Sequence, residues 1–462
     1  MSHEHLSQAL RRIAASGTTA MTDRATALRE AGRDIISLSV GEPDFDTPPH
    51  VLGAAQVALN TGHTKYTPVT GTLRLKQAAA LHFRRDLGIA CKPEQVIVTA
   101  GGKQAIFEAI AASVSDGDEV IVPCPWWVSY PQMVRFAGGK VVPLITQAHH
   151  GYRFDPGDVA ALITPRTNWL LLNSPGNPTG AVYPRELLRG IGDLLRRHPQ
   201  VMVLSDDIYA PLNYTGEPHA TLAAVCPDLA DRICTVSGVS KSHAMTGFRI
   251  GVATGPDWLI EAMGRLQSNA SGNPSSISQA AAVAAFEGPQ GFLDEWREVF
   301  RRRRDLVVNA VRDIPGLTTP VPDGAFYCFI DAKPLMKRFG GDDAKLALHL
   351  LEHGVAVVAA SAFGGKNGFR ISFAADEAVL AAAMERIAAA LKECSRSSTR
   401  TAKRSSSTSR ADCRWTGRAR AALRSRTIST TCGSASSARR FRSTGSTPTR
   451  PAVCCWRAIP RR

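Results

Sequence analysis

Apolar positions recur along the chain in two alternating rhythms. Spacings of three and four residues mark helices at 5–32, 50–61, 73–87, 105–114 and 184–196. Between them stand short apolar runs of strand length, at 35–40, 95–99, 118–123, 140–144, 167–173, 201–205 and 232–236. Strands separated by helices over 95–255 predict a mostly parallel sheet flanked by helices. The pattern then changes. A long helical region spans 256–312. It is followed by strand-like runs at 322–330, 355–358 and 368–373, and by helical stretches at 343–354 and 376–392. This second set predicts a smaller α+β domain, so the fold class expected is α/β with two unequal domains. The expected division is 1–49 as an N-terminal segment joining the small domain, 50–295 as the large domain, 296–393 as the small domain and 394–462 as a tail.

Composition changes this picture in one place. The formal charge of +15 suggests a basic protein. Yet residues 394–462 hold 17 Lys and Arg against one acid, Asp412, which leaves 1–393 at a net charge of −1. The body gives no charge support for nucleic-acid binding. The tail is Arg-, Ser-, Thr- and Ala-rich without apolar periodicity, and is expected to be disordered. It reads as out-of-frame translation past a lost stop codon; a functional basic tail is the other reading. Half of the ten cysteines lie in it (Cys394, Cys413, Cys432, Cys454, Cys455). The other five (Cys91, Cys124, Cys226, Cys234, Cys328) are scattered, mostly in apolar runs, and read as reduced core residues. There is no metal-like Cys spacing and no apolar run of membrane-spanning length. The first residues lack a basic-then-apolar secretion pattern, so a cytoplasmic enzyme with no membrane partner is expected.

Candidate chemistry centres on 235–251, where an apolar run leads through small residues to Lys241, with Arg249 eight residues on between Gly247 and Gly251. Small neighbours let a flat ligand approach the lysine. Apolar surroundings and a second cation make its neutral amine accessible, and a neutral amine can form a Schiff base with a carbonyl. Arg249 could grip a phosphate bidentately. The same stretch taken alone could equally be a surface lysine in a serine-rich loop. Other turns add candidates. Gly41 follows a strand and could lay its backbone along a ligand. Gly101 and Gly102 open a helix, where free N–H groups suit a phosphate. Trp126 and Trp127 follow a strand, and one ring could stack on a flat cofactor. Asp206 and Tyr209 stand just past a strand's C-terminal end, where open α/β sheets bind ligands.

Taken together these motifs carry a resemblance. Val-Gly-Glu-Pro-Asp-Phe-Asp-Thr-Pro from 40, Lys65-Tyr66, Gly-Gly-Lys-Gln from 101, Trp-Val-Ser-Tyr-Pro from 127 and Asn-Ser-Pro-Gly-Asn-Pro-Thr-Gly-Ala-Val-Tyr from 173 are followed by three more. These are Ser-Asp-Asp-Ile-Tyr from 205, Ser-Lys-Ser-His-Ala-Met-Thr-Gly from 240 and Gly-Phe-Arg-Ile-Ser from 368. Over about 10–393 the chain resembles the class I aminotransferases of the fold type I pyridoxal-phosphate superfamily, and within them the bacterial aspartate/prephenate-type subgroup. The resemblance implies pyridoxal 5′-phosphate as cofactor. It implies transfer of an amino group from an L-amino acid to a 2-oxo acid, with aspartate and 2-oxoglutarate as the expected pair. An aminotransferase for an aromatic amino acid, alanine or arginine, or a lyase on the same scaffold, stays open.

The resemblance also assigns roles. Lys241 is implied as the Schiff-base lysine and proton shuttle, and Asp206 as the partner of the pyridinium nitrogen. Tyr209 and Asn177 are implied at the cofactor's 3′ oxygen, and Trp127 against the ring. Gly102, Lys103 (through their N–H groups) and Arg249 are implied at the phosphate. Tyr66 is implied to reach the phosphate of a neighbouring subunit, hence a homodimer. Arg370 is implied to clamp the substrate α-carboxylate, with the Gly41 backbone, Trp127 and Asn177 beside it. Three features depart from relatives. Gly238 stands where many have a phosphate-binding Ser, and Trp126 where Tyr is common. No cation follows Lys103 in its helix to meet a second carboxylate, so Ser16, Thr18 and Thr19 are the candidates left.

Overall fold

A computed structural model describes residues 5–14 and 17–405. In chain order its strands are β1 (Ile36–Ser37), β2 (Val96–Thr99), β3 (Glu119–Cys124), β4 (Lys140–Ile145), β5 (Thr167–Asn173), β6 (Met202–Asp206), β7 (Ile233–Gly238), β8 (Gly251–Thr254), β9 (Tyr327–Asp331), β10 (Val355–Ala356), β11 (Val358–Ala359) and β12 (Gly368–Ser372). Seven of them form the large domain's sheet in the order β2-β8-β7-β6-β5-β3-β4. All pairings in it are parallel except those of β8, which runs antiparallel to both β7 and β2. Both faces are covered. Alternate residues (Val96, Val98, Ile121, Leu170, Leu172, Val203) meet Leu75, Phe83 and Phe286 on one side. Their neighbours (Ile97, Val120, Val122, Trp169, Leu171, Leu204) meet Ile106, Ile110 and Met263 on the other. Burial on both faces is why these strands read as continuous apolar runs.

Helix ends follow local chemistry. In helix Leu73–Leu87 the Thr72 hydroxyl accepts the Leu75 N–H at 3.3 Å, and Gly88 stops the helix in the left-handed region at φ 68°. The single helical region expected at 256–312 is three helices, Asp257–Ala270, Ser276–Glu287 and Phe292–Arg312. Gly272 at φ 71° and Pro274 break the first junction, and a Gly-containing turn from Gly288 breaks the second. The strand expected at 355–358 is two, because consecutive pairs of residues serve different partners: β10 pairs with β1, and β11 with β12.

The small domain has a three-stranded antiparallel sheet, β11-β12-β9. Phe326, Cys328, Ile330, Phe369 and Ile371 pack against Phe300, Val307, Leu346, Leu350, Leu380 and Ile387. Leu38 belongs to this core, and Ala25 and Ile35 pack with Leu351 and Ala356. The parallel pairing of Ile36 with Val355 thus builds the chain's beginning into a domain made mostly of its end. The closing helix runs from Glu377 to Ser405, beyond the expected end at 392. Residues 393–405 contain no Gly or Pro to stop it. The rest of the tail expected to be disordered, 406–462, lies outside the described residues. Among the described residues no helix is long and apolar enough to cross a membrane, and the five body cysteines are unpaired.

Candidate active site

Strand ends bring the expected side chains to one place. Asp206 ends β6, Asn173 ends β5, Lys241 follows β7 and Trp127 follows β3. These are C-terminal ends of parallel strands, opening on the same edge of the sheet. Arg370 comes from β12 of the small domain, and Gly41 from the segment after β1. Gly41, Gly102, Lys103, Trp127, Asn177, Asp206, Tyr209, Lys241, Arg249 and Arg370 all line one cavity of about 420 Å³ between the domains. Tyr66 does not; its side chain is 99% exposed.

One end of the cavity is shaped for an anion. Helix Gly102–Ser113 starts there, preceded by Gly101 at φ 93°. A Cβ on Gly101 would overlap the Arg249 guanidinium, and one on Gly251 would overlap the Gly102 amide nitrogen. The glycines therefore let Arg249 and the helix start crowd together. Arg249 donates to the carbonyls of Thr246 (3.0 Å) and Ala100 (3.2 Å). The Ser240 hydroxyl, in the lining of the same cavity, is buried and has no hydrogen-bond partner. Gly238, which lacks a hydroxyl, packs against Gly251.

Lys241 Nζ donates to the Gly41 carbonyl at 2.5 Å. Burial, helped by the charges of Arg249 and Arg370 and opposed by Glu42 and Asp206, lowers its pKa to about 8. Asp206 accepts from the Tyr130 hydroxyl at 2.6 Å and from the Ile208 N–H at 3.3 Å. Burial nevertheless pushes its carboxyl up to about 6. Tyr209 shares a 2.8 Å hydrogen bond with Tyr327, and burial raises its pKa well above the usual tyrosine value.

Arg370 is 3% exposed. It donates to Asn177 Oδ1 at 3.2 Å and to the Ser39 carbonyl, and its Nε has no partner. Its guanidinium lies over the rings of Tyr327 (4.6 Å) and Phe363 (4.9 Å). Lys103 Nζ, also lining the cavity, sits over the Trp127 ring at 5.0 Å, with its pKa lowered by burial and by Arg249.

Several lining residues escaped the sequence reading. Tyr130 and Tyr327 look like packing tyrosines until their hydroxyls are seen on Asp206 and Tyr209. Tyr130 lies within a quoted motif, which was the signal available. Ser240 adjoins Lys241 and could have been proposed from that adjacency. Thr22 and Asp23 line the cavity beside Thr19, whereas Ser16 and the side chain of Thr18 lie outside the described residues. Trp126 turns away, toward Gly364.

The family model for aminotransferase class I and II matches residues 33–387. The chain is 47% identical over 391 residues to an aspartate/prephenate aminotransferase of Cereibacter sphaeroides, covering 83% of this chain and 98% of that one. It is 48% identical over 374 residues to an aspartate aminotransferase of Rhizobium meliloti, covering 79% and 91%. Among solved structures, the aspartate aminotransferase from Rhizobium meliloti matches with a TM-score of 0.80 at 45% identity, covering 84% of this chain and 99% of that one. The Thermus thermophilus enzyme with maleate matches with a TM-score of 0.79 at 43% identity, covering 83% and 99%. A lysine, a buried carboxylate and an anion cup at the strand ends of such a sheet, with matches of this length, have one consequence: the chain belongs to the class I and II aminotransferases and is a transaminase that works with pyridoxal 5′-phosphate.

Proposed function

We propose that this aminotransferase takes the amino group of an acidic L-amino acid, aspartate first, and delivers it to a 2-oxo acid such as 2-oxoglutarate. The observation that carries this reading is that two cationic side chains line the cavity, Arg370 from β12 and Lys103 from the start of helix Gly102–Ser113. A monocarboxylic substrate needs one of them, and a dicarboxylic one uses both. The relatives named aspartate aminotransferase, and the Thermus structure with the dicarboxylate maleate, support the same choice.

The residues present suit the cofactor. The unpartnered Ser240 hydroxyl, the free N–H groups of Gly102 and Lys103 and the Arg249 guanidinium make a donor set for a phosphate. Ser240 answers for the hydroxyl that Gly238 lacks. Asp206 would serve the ring nitrogen and Tyr209 the 3′ oxygen, with Asn177 beside them, and Trp127 would cover the ring. When bound, pyridoxal phosphate supplies an aldehyde that takes up the amino group and a ring that draws electrons from Cα.

The protein's own part is proton handling and orientation. A lysine near pKa 8 is in part a free base at neutral pH, so Lys241 Nζ can take up and hold the Cα proton. The Gly41 carbonyl steers that amine. Arg370, bracketed by two rings, holds the α-carboxylate as a planar fork. Tyr66, exposed and remote from its own cavity, completes the site of a second copy in a homodimer. Unpaired cysteines fit a reducing cytoplasm.

The test is a donor panel with 2-oxoglutarate, run on wild type, Lys103→Met and Arg370→Ala. Wild type should prefer aspartate. Lys103→Met should lose that preference while keeping neutral donors. Arg370→Ala should weaken every donor, by about 2–5 kcal/mol in kcat/KM, and lose discrimination between an amino acid and its amine lacking the carboxylate. Wild type favouring a neutral donor would refute the substrate reading.

A further inference from the structure

The chain passes between the two domains at two places, and they touch. The first crossing is the segment from Leu38 to helix Pro49–Asn60. The second is helix Phe292–Arg312. Arg303, 6% exposed, joins them by a double hydrogen bond to Asp44, Nη1 to Oδ1 at 2.6 Å and Nη2 to Oδ2 at 2.8 Å. Aromatic packing seals the junction. Phe45 stacks on Trp296 at 4.3 Å with 9° between the planes, and the Arg303 guanidinium lies over Phe45 (5.4 Å) and Phe300 (5.7 Å).

The other face of residues 41–47 is stitched to the lysine loop. Besides the contact of Lys241 Nζ with the Gly41 carbonyl, Thr246 donates to the Glu42 carboxylate. The Thr47 hydroxyl donates to the Ala244 carbonyl at 2.7 Å. Ala244 itself is held in the left-handed region at φ 49°, which an alanine adopts only under external constraint. Seven residues thus have one face fixed by Arg303 and the other fixing the segment that carries Lys241.

We propose that Arg303 and Asp44 are positioning residues of the active site: by tying the two interdomain crossings together, they set the 41–47 segment, and through it the Gly41 carbonyl and the loop of Lys241. The proposal rests on the reading of Lys241 as the reacting amine. Neither Arg303 nor Asp44 lines the cavity, so neither touches substrate or cofactor. A purely structural role would show only in stability.

The experiment compares the holoenzyme of wild type with Arg303→Lys, Asp44→Asn and the doubly neutral Asp44→Leu/Arg303→Met. The last removes both charges together and so leaves no orphaned ion in the core. Melting, kcat and KM are read together with amide hydrogen exchange of peptides covering 38–48 and 241–250, with cofactor and after its removal. In the doubly neutral variant kcat should fall roughly 10–100-fold with a smaller change in KM, as for a displaced reacting group. Exchange should rise in both peptides, in the loaded and the unloaded protein. Arg303→Lys, which keeps the charge on Asp44, should recover most of kcat. If the doubly neutral variant does not fold, Asp44→Asn carries the same expectations at smaller amplitude. Unchanged kcat per folded protein would overturn the proposal. So would faster exchange confined to 38–48 with 241–250 unaffected. Full activity of Lys241→Ala would instead sink the reading of Lys241 and leave the exchange result standing, so the two failures are distinguishable.

Discussion

Tyr130 carries one hydroxyl, and its geometry gives that hydroxyl a measurable job. It donates at 2.6 Å to Asp206, whose carboxyl burial has already pushed up to about 6. A donor to the charged form favours ionisation, so removing it raises the carboxyl further. The role proposed for Asp206, opposite the cofactor's ring nitrogen, needs it ionised. In Tyr130→Phe the acid limb of the kcat/KM profile should therefore move to higher pH, by about one unit for a hydrogen bond to a charged acceptor. Activity should suffer more at pH 6 than at pH 8. Parallel profiles for the two proteins would remove Tyr130 from this role. At this scale the sequence was informative where a residue type is chemically singular. A lysine amid small residues, an aspartate past a strand and an arginine between glycines each offer a candidate role that the resemblance gathers into one site. Tyr130, Tyr327 and the buried Ser240 hydroxyl do not, because their function lies in which partner they meet across more than seventy residues, or in having none.

Among the elements, the junction of β8 with helix Gly102–Ser113 decides the anion cup. The first residue of β8, Gly251, faces the first amide of that helix. Both are backbone, so neither can swing aside for a methyl group. Gly251→Ala should drive the strand and helix start apart and spoil the alignment of N–H groups with Arg249. Cofactor retention on dialysis should fall by about two orders of magnitude, the loss expected when several charge-assisted bonds are misaligned together. The same substitution at Gly247, where a Cβ meets no atom within 4 Å, should be mild. Retention in Gly251→Ala equal to that in Gly247→Ala would refute the account. Elements were legible where one period dominates. Helix Leu73–Leu87 and β5 (Thr167–Asn173) have the bounds their apolar patterns give. Strand β8 and helix Ser129–Ala137 were missed because each is short and begins beside glycine or proline, which reads as a turn. The divided strands β10 and β11 could not be read, since only the partners' positions separate them.

For the whole molecule, Ala390 and Leu391 are the last buried side chains among the residues whose burial is described. The Cereibacter sphaeroides relative is matched over 98% of its length by 83% of this chain. A stop codon after Glu393 should therefore preserve melting temperature, cofactor content and transamination; loss of any of them would assign the tail a role. The second, separate sheet was legible in the change of rhythm after residue 256. The opening segment was expected to join the part of the chain built by 296–393, but the strand it pairs with was not legible. Ile36 pairs with Val355, a partner 319 residues downstream. That pairing orders events on the ribosome. The large domain's sheet is complete once β8 has emerged, whereas the opening segment must wait, exposed, for β10. Arg370 arrives later still. The cavity therefore acquires its last wall only near the end of translation, and the vitamin-derived cofactor is a guest of the finished chain. Ribosome-bound intermediates stalled before residue 340 should present the first forty residues to protease, while the sheet behind them already resists it.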